Sequence, residues 1–207
     1  MVLDTGERVI PEFMKSTNKL LLEHIARYQF ALPYIDGRVL DLSCGAGYGT
    51  HMIAKEKKDQ IEGVIGVDID PEIIEYARGA YYHPQSSFES ADATDPALAE
   101  QLGHFDTIVS FETLEHIEEE EKLLDNYYHL LKPGGTLLVS TPFGKGRGVP
   151  CGSPFHIHQL KPEEFRALFH RYQDVTFFYQ KGVLVVPAYD NEDYPLGIAV
   201  CKKAENE

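Results

Sequence analysis

Residues 39–49 (Val-Leu-Asp-Leu-Ser-Cys-Gly-Ala-Gly-Tyr-Gly) concentrate the chain's chemistry. A short apolar run passes into Gly45, Gly47 and Gly49, and a helical pattern begins at Tyr48. Glycines at such a turn let the backbone bend sharply and approach a ligand closely. The start of the helix adds unpaired N–H groups. A dinucleotide fingerprint would place its third small residue at position 50, which is Thr50. Asp41 stands just before the loop, where a carboxylate would oppose a pyrophosphate and welcome a sulfonium or an amine. The loop therefore points away from a nicotinamide dinucleotide and towards S-adenosylmethionine.

Two further acidic positions follow at strand ends. Asp68 closes Gly66-Val67-Asp68-Ile69-Asp70, about twenty residues beyond the loop, where a carboxylate can accept both ribose hydroxyls of an adenosine. Asp70 directly precedes Pro71 and is assigned the helix cap, leaving Asp68 for the ribose. In Ser90-Ala91-Asp92-Ala93-Thr94-Asp95, Asp92 with a neighbouring N–H can read an adenine edge. Asp95, just before Pro96, suits a helix cap. Cys44 reads as a small buried residue, not a nucleophile.

The elements that must carry these residues alternate. Apolar runs at 38–42, 63–68, 87–91, 105–111 and 135–141 read as strands covered on both faces. Helical patterns lie between them. Ile73, Ile74 and Ala77 form an apolar stripe after Pro71, and residues 117–132 carry Leu123, Leu124, Tyr127, Leu130 and Leu131 before Lys132-Pro133-Gly134-Gly135. Residues 18–32 read as an amphipathic helix ending at Pro33. Beyond the fifth strand come a glycine-rich loop, a short helix at 162–170, and closing strands at 174–179 and 196–201. Residues 183–193 carry no clear pattern. Strand–helix alternation makes this an α/β protein with a mostly parallel sheet and helices on both faces.

The 207 residues suit a single domain. Nineteen Lys and Arg against thirty-three Asp and Glu give a net charge of −14, which repels phosphate backbones and argues against nucleic acid as a partner. No stretch is apolar enough to span a bilayer, so membrane insertion is not expected. Residues 1–7 show no basic and apolar leader pattern, and three scattered cysteines suit a reducing, cytoplasmic compartment.

DLSCGAGYG, GVDID, SADATD, FDTIVSFETLEHI and LLKPGGTLLVSTP, in this order, resemble the class I S-adenosylmethionine-dependent methyltransferases, in the small-molecule branch called type 11. The resemblance covers roughly residues 36–143. It implies a Rossmann-like, seven-stranded sheet of order 3-2-1-4-5-7-6 with the last strand antiparallel. It also implies that Asp41, Ser43, Gly45 and Gly47 surround the methionine part of the cofactor. Asp68, with Ile69 beside it, would hold the ribose, Asp92 and Ala93 the adenine, and Phe111 would lie near the methyl donor. The sequence departs from many relatives at Ser43, where they have glycine. Residues 5–12, Arg27-Tyr28 and 154–158 further resemble methyltransferases of bacterial polysaccharide and sugar-modifying pathways. In those, an N-terminal cover (residues 1–35 here) and a substrate-side loop (residues 143–160) enclose the site.

Methyl transfer from a sulfonium is an in-line displacement, and a hydroxyl acceptor must also lose its proton. His116, after the fourth strand, and His156 and His158, on the loop after the fifth, are the candidate bases. The acceptor expected is a small, hydroxyl-bearing, sugar-related molecule. Lys145 and Arg147 read as ordinary loop charges, with an anion clamp as the alternative. A second arrangement is open: Glu112, Glu115 and His116, with a loop histidine, resemble the metal site of small-RNA 2′-O-methyltransferases, and a divalent cation there would lower the pKa of an acceptor diol. The favoured reading assigns no metal. A third is a non-catalytic S-adenosylmethionine-binding partner protein. Oligomeric state is not legible.

Overall fold

The computed structural model describes residues 8–187 and 193–206. Met1 to Glu7, including Thr5-Gly6-Glu7 of the N-terminal pattern, lie outside the described residues, as do residues 188–192 of the patternless stretch at 183–193. None of the described helices is long and apolar enough to cross a membrane.

Among the described residues, eight strands form one sheet: β1 (Gly37–Leu42), β2 (Ile61–Asp68), β3 (Ser86–Ser90), β4 (Phe105–Phe111), β5 (Leu131–Pro142), β6 (Asp174–Lys181), β7 (Leu184–Pro187) and β8 (Leu196–Lys202). Their order is β3-β2-β1-β4-β5-β8-β6-β7. The first five are parallel, and β8 runs antiparallel between β5 and β6. This is the expected order with one correction: an eighth strand. Residues 184–187 fold back on β6 through Gly182, whose φ of +62° suits a tight turn, and extend the edge by four residues.

Six α-helices among the described residues cover the faces: α1 (Lys19–Ala31), α2 (Tyr48–Glu56), α3 (Pro71–Ala80), α4 (Leu98–Leu102), α5 (Glu120–Leu130) and α6 (Pro162–Ala167). The side-chain alternation of the strands divides the core. Leu40, Ile108, Leu137 and Val139 pack against Leu98, Leu123, Tyr127 and Phe165 on one face. Val39, Val64, Val109 and Leu138 pack against Tyr28, Ala31 and Ile53 on the other. Each fully buried side chain of this kind contributes about 1.5–3 kcal/mol.

Local signals place the helix starts. Asn18 Oδ1 accepts the N–H of Leu21 at 3.2 Å and caps α1. Asp70 Oδ1 accepts the N–H of Glu72 at 2.9 Å and caps α3, with Pro71 at its first position. Asp95 instead caps the turn before α4, through the N–H of Ala97 at 2.9 Å. Residues 117–132 divide differently from expectation. A single 3-10 turn (Leu114–His116) precedes α5, which starts at Glu120, and β5 already begins at Leu131.

Two ties hold the outer layers over the parallel strand ends. Gln180, on β6, accepts from Arg27 Nη1 at 2.8 Å and donates to the Glu23 carbonyl at 2.9 Å, which docks α1. The loop after β5 hydrogen-bonds through Gly144 to Leu160 and through Ile157 to the carbonyl of Glu115.

Candidate active site

The carboxyl ends of β1 to β4 open into a cavity of about 490 Å³, within the range of small-molecule sites. On its donor side it is lined by Ser43, Gly45, Asp68, Ile69, Asp92, Ala93 and Phe111, seven of the residues singled out above. Gly45 has φ +54°, and a Cβ there would meet nothing within 4 Å, so the loop presents bare backbone to the open space. Asp68 crosses from β2 to this loop: Oδ2 accepts the Gly45 N–H at 2.9 Å and Oδ1 the Asp70 N–H at 3.1 Å. Each oxygen keeps a second lone-pair site. Asp92 accepts from the N–H and the hydroxyl of Thr94, both at 2.8 Å, which fixes the turn after β3. Ile69 is 67% exposed and offers an apolar surface to a flat ring. A bare glycine loop, two carboxylates at successive strand ends and apolar walls fit an adenosine-bearing cofactor.

Two expected contacts are corrected. Asp41 does not line the cavity. It is completely buried behind the wall and accepts hydrogen bonds from Thr50 Oγ1 at 2.6 Å and Tyr28 Oη at 3.0 Å. Burial, opposed by these two hydrogen bonds, raises its pKa to about 6. Its carboxylate therefore ties β1 to α1 and α2, and it does not face the open space where a pyrophosphate would lie. Gly47 is also behind the wall. Its φ is +87°, and a Cβ would lie 2.6 Å from the Phe88 ring and 2.7 Å from Ala77, so its role is close packing of the loop. Cys44 reaches the cavity, but burial and the nearby Asp41 hold its thiol well above the ordinary range.

Ser43 (φ +68°) and Glu112 (φ +54°) are the non-glycine residues with left-handed backbone among those described. Both follow a strand and both line the cavity. Such conformations cost on the order of 1–3 kcal/mol and cluster at functional sites. At Ser43 a glycine would adopt this backbone without that cost.

The acceptor side is formed by Glu112, Glu115, His116, Ile117, Phe155 and His156. His116 Nδ1 lies 3.0 Å from the carbonyl of Phe155, and its ring meets that of His156 edge-on at 4.9 Å. A carbonyl only accepts, so Nδ1 of His116 carries the proton and Nε2 of the neutral ring keeps its lone pair. Glu115 is buried and accepts from Thr141 Oγ1 at 3.0 Å, while its Oε1 has no partner. Burial and the neighbouring Glu112 hold its carboxyl well above the usual carboxylate range. Ligand atoms of Glu115, His116 and His156 lie within 4.8 Å of one another. Glu112 turns away from this group: Oε1 accepts from Ser140 Oγ at 3.2 Å, and Oε2 is 4.0 Å from Arg27 Nη2.

His158 is not in the cavity wall. It packs 3.5 Å from Glu120, which also takes two hydrogen bonds from Arg147 at 2.9 and 2.8 Å. Arg147 therefore clasps the loop to α5, and neither it nor Lys145 lines the cavity. Sequence reasoning missed Arg8, Leu20, His24 and Tyr48 as lining residues. The four-residue spacing of Leu20, His24 and Tyr28 on α1 was the available signal.

A parallel sheet in Rossmann-like order, with a glycine loop after its first strand and polar groups converging at its carboxyl edge, defines a nucleotide-cofactor-binding α/β enzyme fold. Residues 36–184 match the family described as "Methyltransferase domain", and the chain belongs to that family. A probable S-adenosylmethionine-dependent methyltransferase of Mycolicibacterium smegmatis is 32% identical over 169 residues, 79% of this chain and 62% of that protein. A ubiquinone biosynthesis O-methyltransferase of Xylella fastidiosa is 35% identical over 132 residues, 62% of this chain and 50% of that protein. This chain thus spans about half to three-fifths of the length of these relatives. The crystal structure of an S-adenosylmethionine-dependent methyltransferase from Archaeoglobus fulgidus superposes with a TM-score of 0.65 at 18% identity, covering 90% of this chain and 95% of that one. The fold is that of the class I methyltransferases.

Proposed function

We infer that this chain transfers the methyl group of S-adenosylmethionine to a small, hydroxyl-bearing, sugar-related acceptor. The observation that carries this reading is the convergence of the Gly45 loop, Asp68 and Asp92 on one side of a cavity whose other side holds His116 and His156. The bound cofactor supplies an electrophilic methyl on a positively charged sulfur. Asp68 would hold the ribose, Asp92 and Ala93 the adenine, and the Ser43–Gly45 backbone the methionine part. Phe111 and Phe155 exclude water from the reaction space. His116 is the group we assign to take the acceptor proton, at Nε2, and His156 orients it. The acid lining of the acceptor side favours a neutral molecule over an anionic one. On this reading the enzyme works in the cytoplasm, where such metabolites are met.

Calorimetry with S-adenosylmethionine, S-adenosylhomocysteine and NAD tests the cofactor. The first two should bind to the wild type and weaken at least about tenfold in Asp68→Ala. An NAD signal without the other two would sink the reading. Release of S-adenosylhomocysteine across a panel of hydroxylated acceptors then tests the reaction, with His116→Ala lowering kcat about a hundredfold. Cofactor binding without turnover on any acceptor would favour a non-catalytic partner protein instead.

The clustering of Glu115, His116 and His156 supports a second reading, a metal-assisted transfer. A carboxylate with two imidazoles suits Mn²⁺ better than Mg²⁺. The metal would acidify an acceptor hydroxyl. Activity abolished by a chelator and restored by Mn²⁺ would select it, whereas the first reading expects no chelator effect.

A further inference from the structure

One corner of the cavity brings a histidine and a tyrosine together. Asp68, Asp92, Glu112 and Glu115 also line the cavity, and the guanidinium of Arg8 is held by Asp70 at 2.9 Å. At the far end of the glycine loop, His24 Nδ1 and Tyr48 Oη are 3.1 Å apart, and both residues line the cavity. They come from different layers: His24 from the middle of α1, Tyr48 from the first position of α2, immediately after Gly47.

We propose that this pair receives the α-carboxylate of the cofactor's methionine moiety, with His24 Nε2–H as the donor and Tyr48 as the residue that fixes the ring. The proposal rests on the donor reading above and deepens it. Leu20, His24 and Tyr28 form one stripe of α1 along the cavity. The Tyr28 hydroxyl is already given to Asp41, which leaves His24 as the polar group this helix can offer a ligand. The half-buried Tyr48 phenol stays protonated and makes no other hydrogen bond among the described residues. In the proposed arrangement its hydroxyl donates to Nδ1, which puts the ring proton on Nε2, an atom with no hydrogen-bond partner among the described residues. The positive charge of Arg27 acts on both members of the pair, and the carboxylates of Asp41 and Glu112 act on Tyr48. Burial first, and Arg27 second, keep the His24 ring neutral at pH 7. An N–H donor open to the cavity beside the end of the glycine loop suits an anion. The cofactor carries one, the carboxylate, and the loop that would hold its methionine part ends at this corner.

The test compares S-adenosylhomocysteine with 5′-methylthioadenosine, which keeps the adenosine and the sulfur but lacks the amino acid. Calorimetry on the whole chain would use wild type, His24→Leu, His24→Gln and Tyr48→Phe. His24→Leu should weaken S-adenosylhomocysteine about ten- to a hundredfold, the range for a hydrogen bond to a charged group, and leave 5′-methylthioadenosine within about twofold. His24→Gln, which restores an N–H, should recover part of the loss. Tyr48→Phe should cost about three- to tenfold on the first ligand alone. Unchanged S-adenosylhomocysteine binding in His24→Leu would overturn the assignment. Equal weakening of both ligands would also overturn it, marking the pair as structural. No binding of either ligand to the wild type would instead remove the donor reading itself.

Discussion

The hydroxyl of Thr50 donates a 2.6 Å hydrogen bond to the buried carboxylate of Asp41, joining the first turn of the cofactor-side helix α2 to the central strand β1. Asp41 titrates near 6 in the folded chain against an ordinary value of 3.8. A folded pKa above the unfolded one means that the native state binds the proton more tightly. That contribution to stability is fully present below about pH 4 and is lost as pH rises through 6. The shift corresponds to about 2–3 kcal/mol. Thermal melts of wild type and Asp41→Asn between pH 4 and 7 should show the wild type losing roughly 4–10 °C relative to the variant as pH rises. A pH-independent difference would contradict the burial of a titrating Asp41.

The three loop glycines have different duties and should respond differently to alanine. At Gly45 the left-handed backbone costs about 1–2 kcal/mol, and the new methyl faces open space. Gly45→Ala should therefore spare most of the stability while weakening S-adenosylhomocysteine about tenfold or more. Gly47→Ala adds overlap with Phe88 and Ala77 to a similar backbone cost, and Gly49→Ala would drive a methyl to within 2.0 Å of the Tyr28 ring. Both should lose roughly 3 kcal/mol or more in chemical denaturation. Equal stability for all three variants would refute this division.

Glu120 is the peg on which the substrate-side loop hangs, since Arg147 grips it with two hydrogen bonds and His158 packs beside it. Phe155 and His156, farther along the same loop, reach the cavity. Glu120→Ala should raise the rate of proteolytic nicking between residues 145 and 157 and raise KM for the acceptor more than it lowers kcat. Cofactor affinity should stay within about twofold. Unaltered proteolysis would show that the loop is held by other contacts.

Much of this site was readable in order along the chain because its signals are local. The glycine loop, the Asp70 cap ahead of Pro71 and the stripe of Ile73, Ile74 and Ala77 each depend on neighbours within a few residues. All three apolar residues of that stripe are buried as the spacing requires. Asp41 was misplaced because a polar residue in a strand does not announce what stands opposite it. Its partners, Tyr28 and Thr50, belong to two helices whose docking is tertiary. The three-residue spacing of Glu112 and Glu115 suggested a shared direction, yet the left-handed backbone at Glu112 turns its carboxylate to Ser140 and Arg27. His24 was invisible for a similar reason: it meets Tyr48 only once α1 lies over the loop. The four residues of β7 are too few for alternation to register against a background of valine and leucine.

The place of β8 bears on the order in which the molecule can be assembled. This strand is made last of the eight, yet it lies between β5 and β6 and hydrogen-bonds to both along its length. Until residues 196–202 emerge, the β6–β7 hairpin has no edge to join, and β5 stands as an open border exposing unpaired backbone. Gln180 on that hairpin is also what anchors Arg27 and α1 over the cavity. A nascent chain can thus form its cofactor loop early and still lack the roof above it, so the competence to hold a ligand arrives only with the insertion of the final strand.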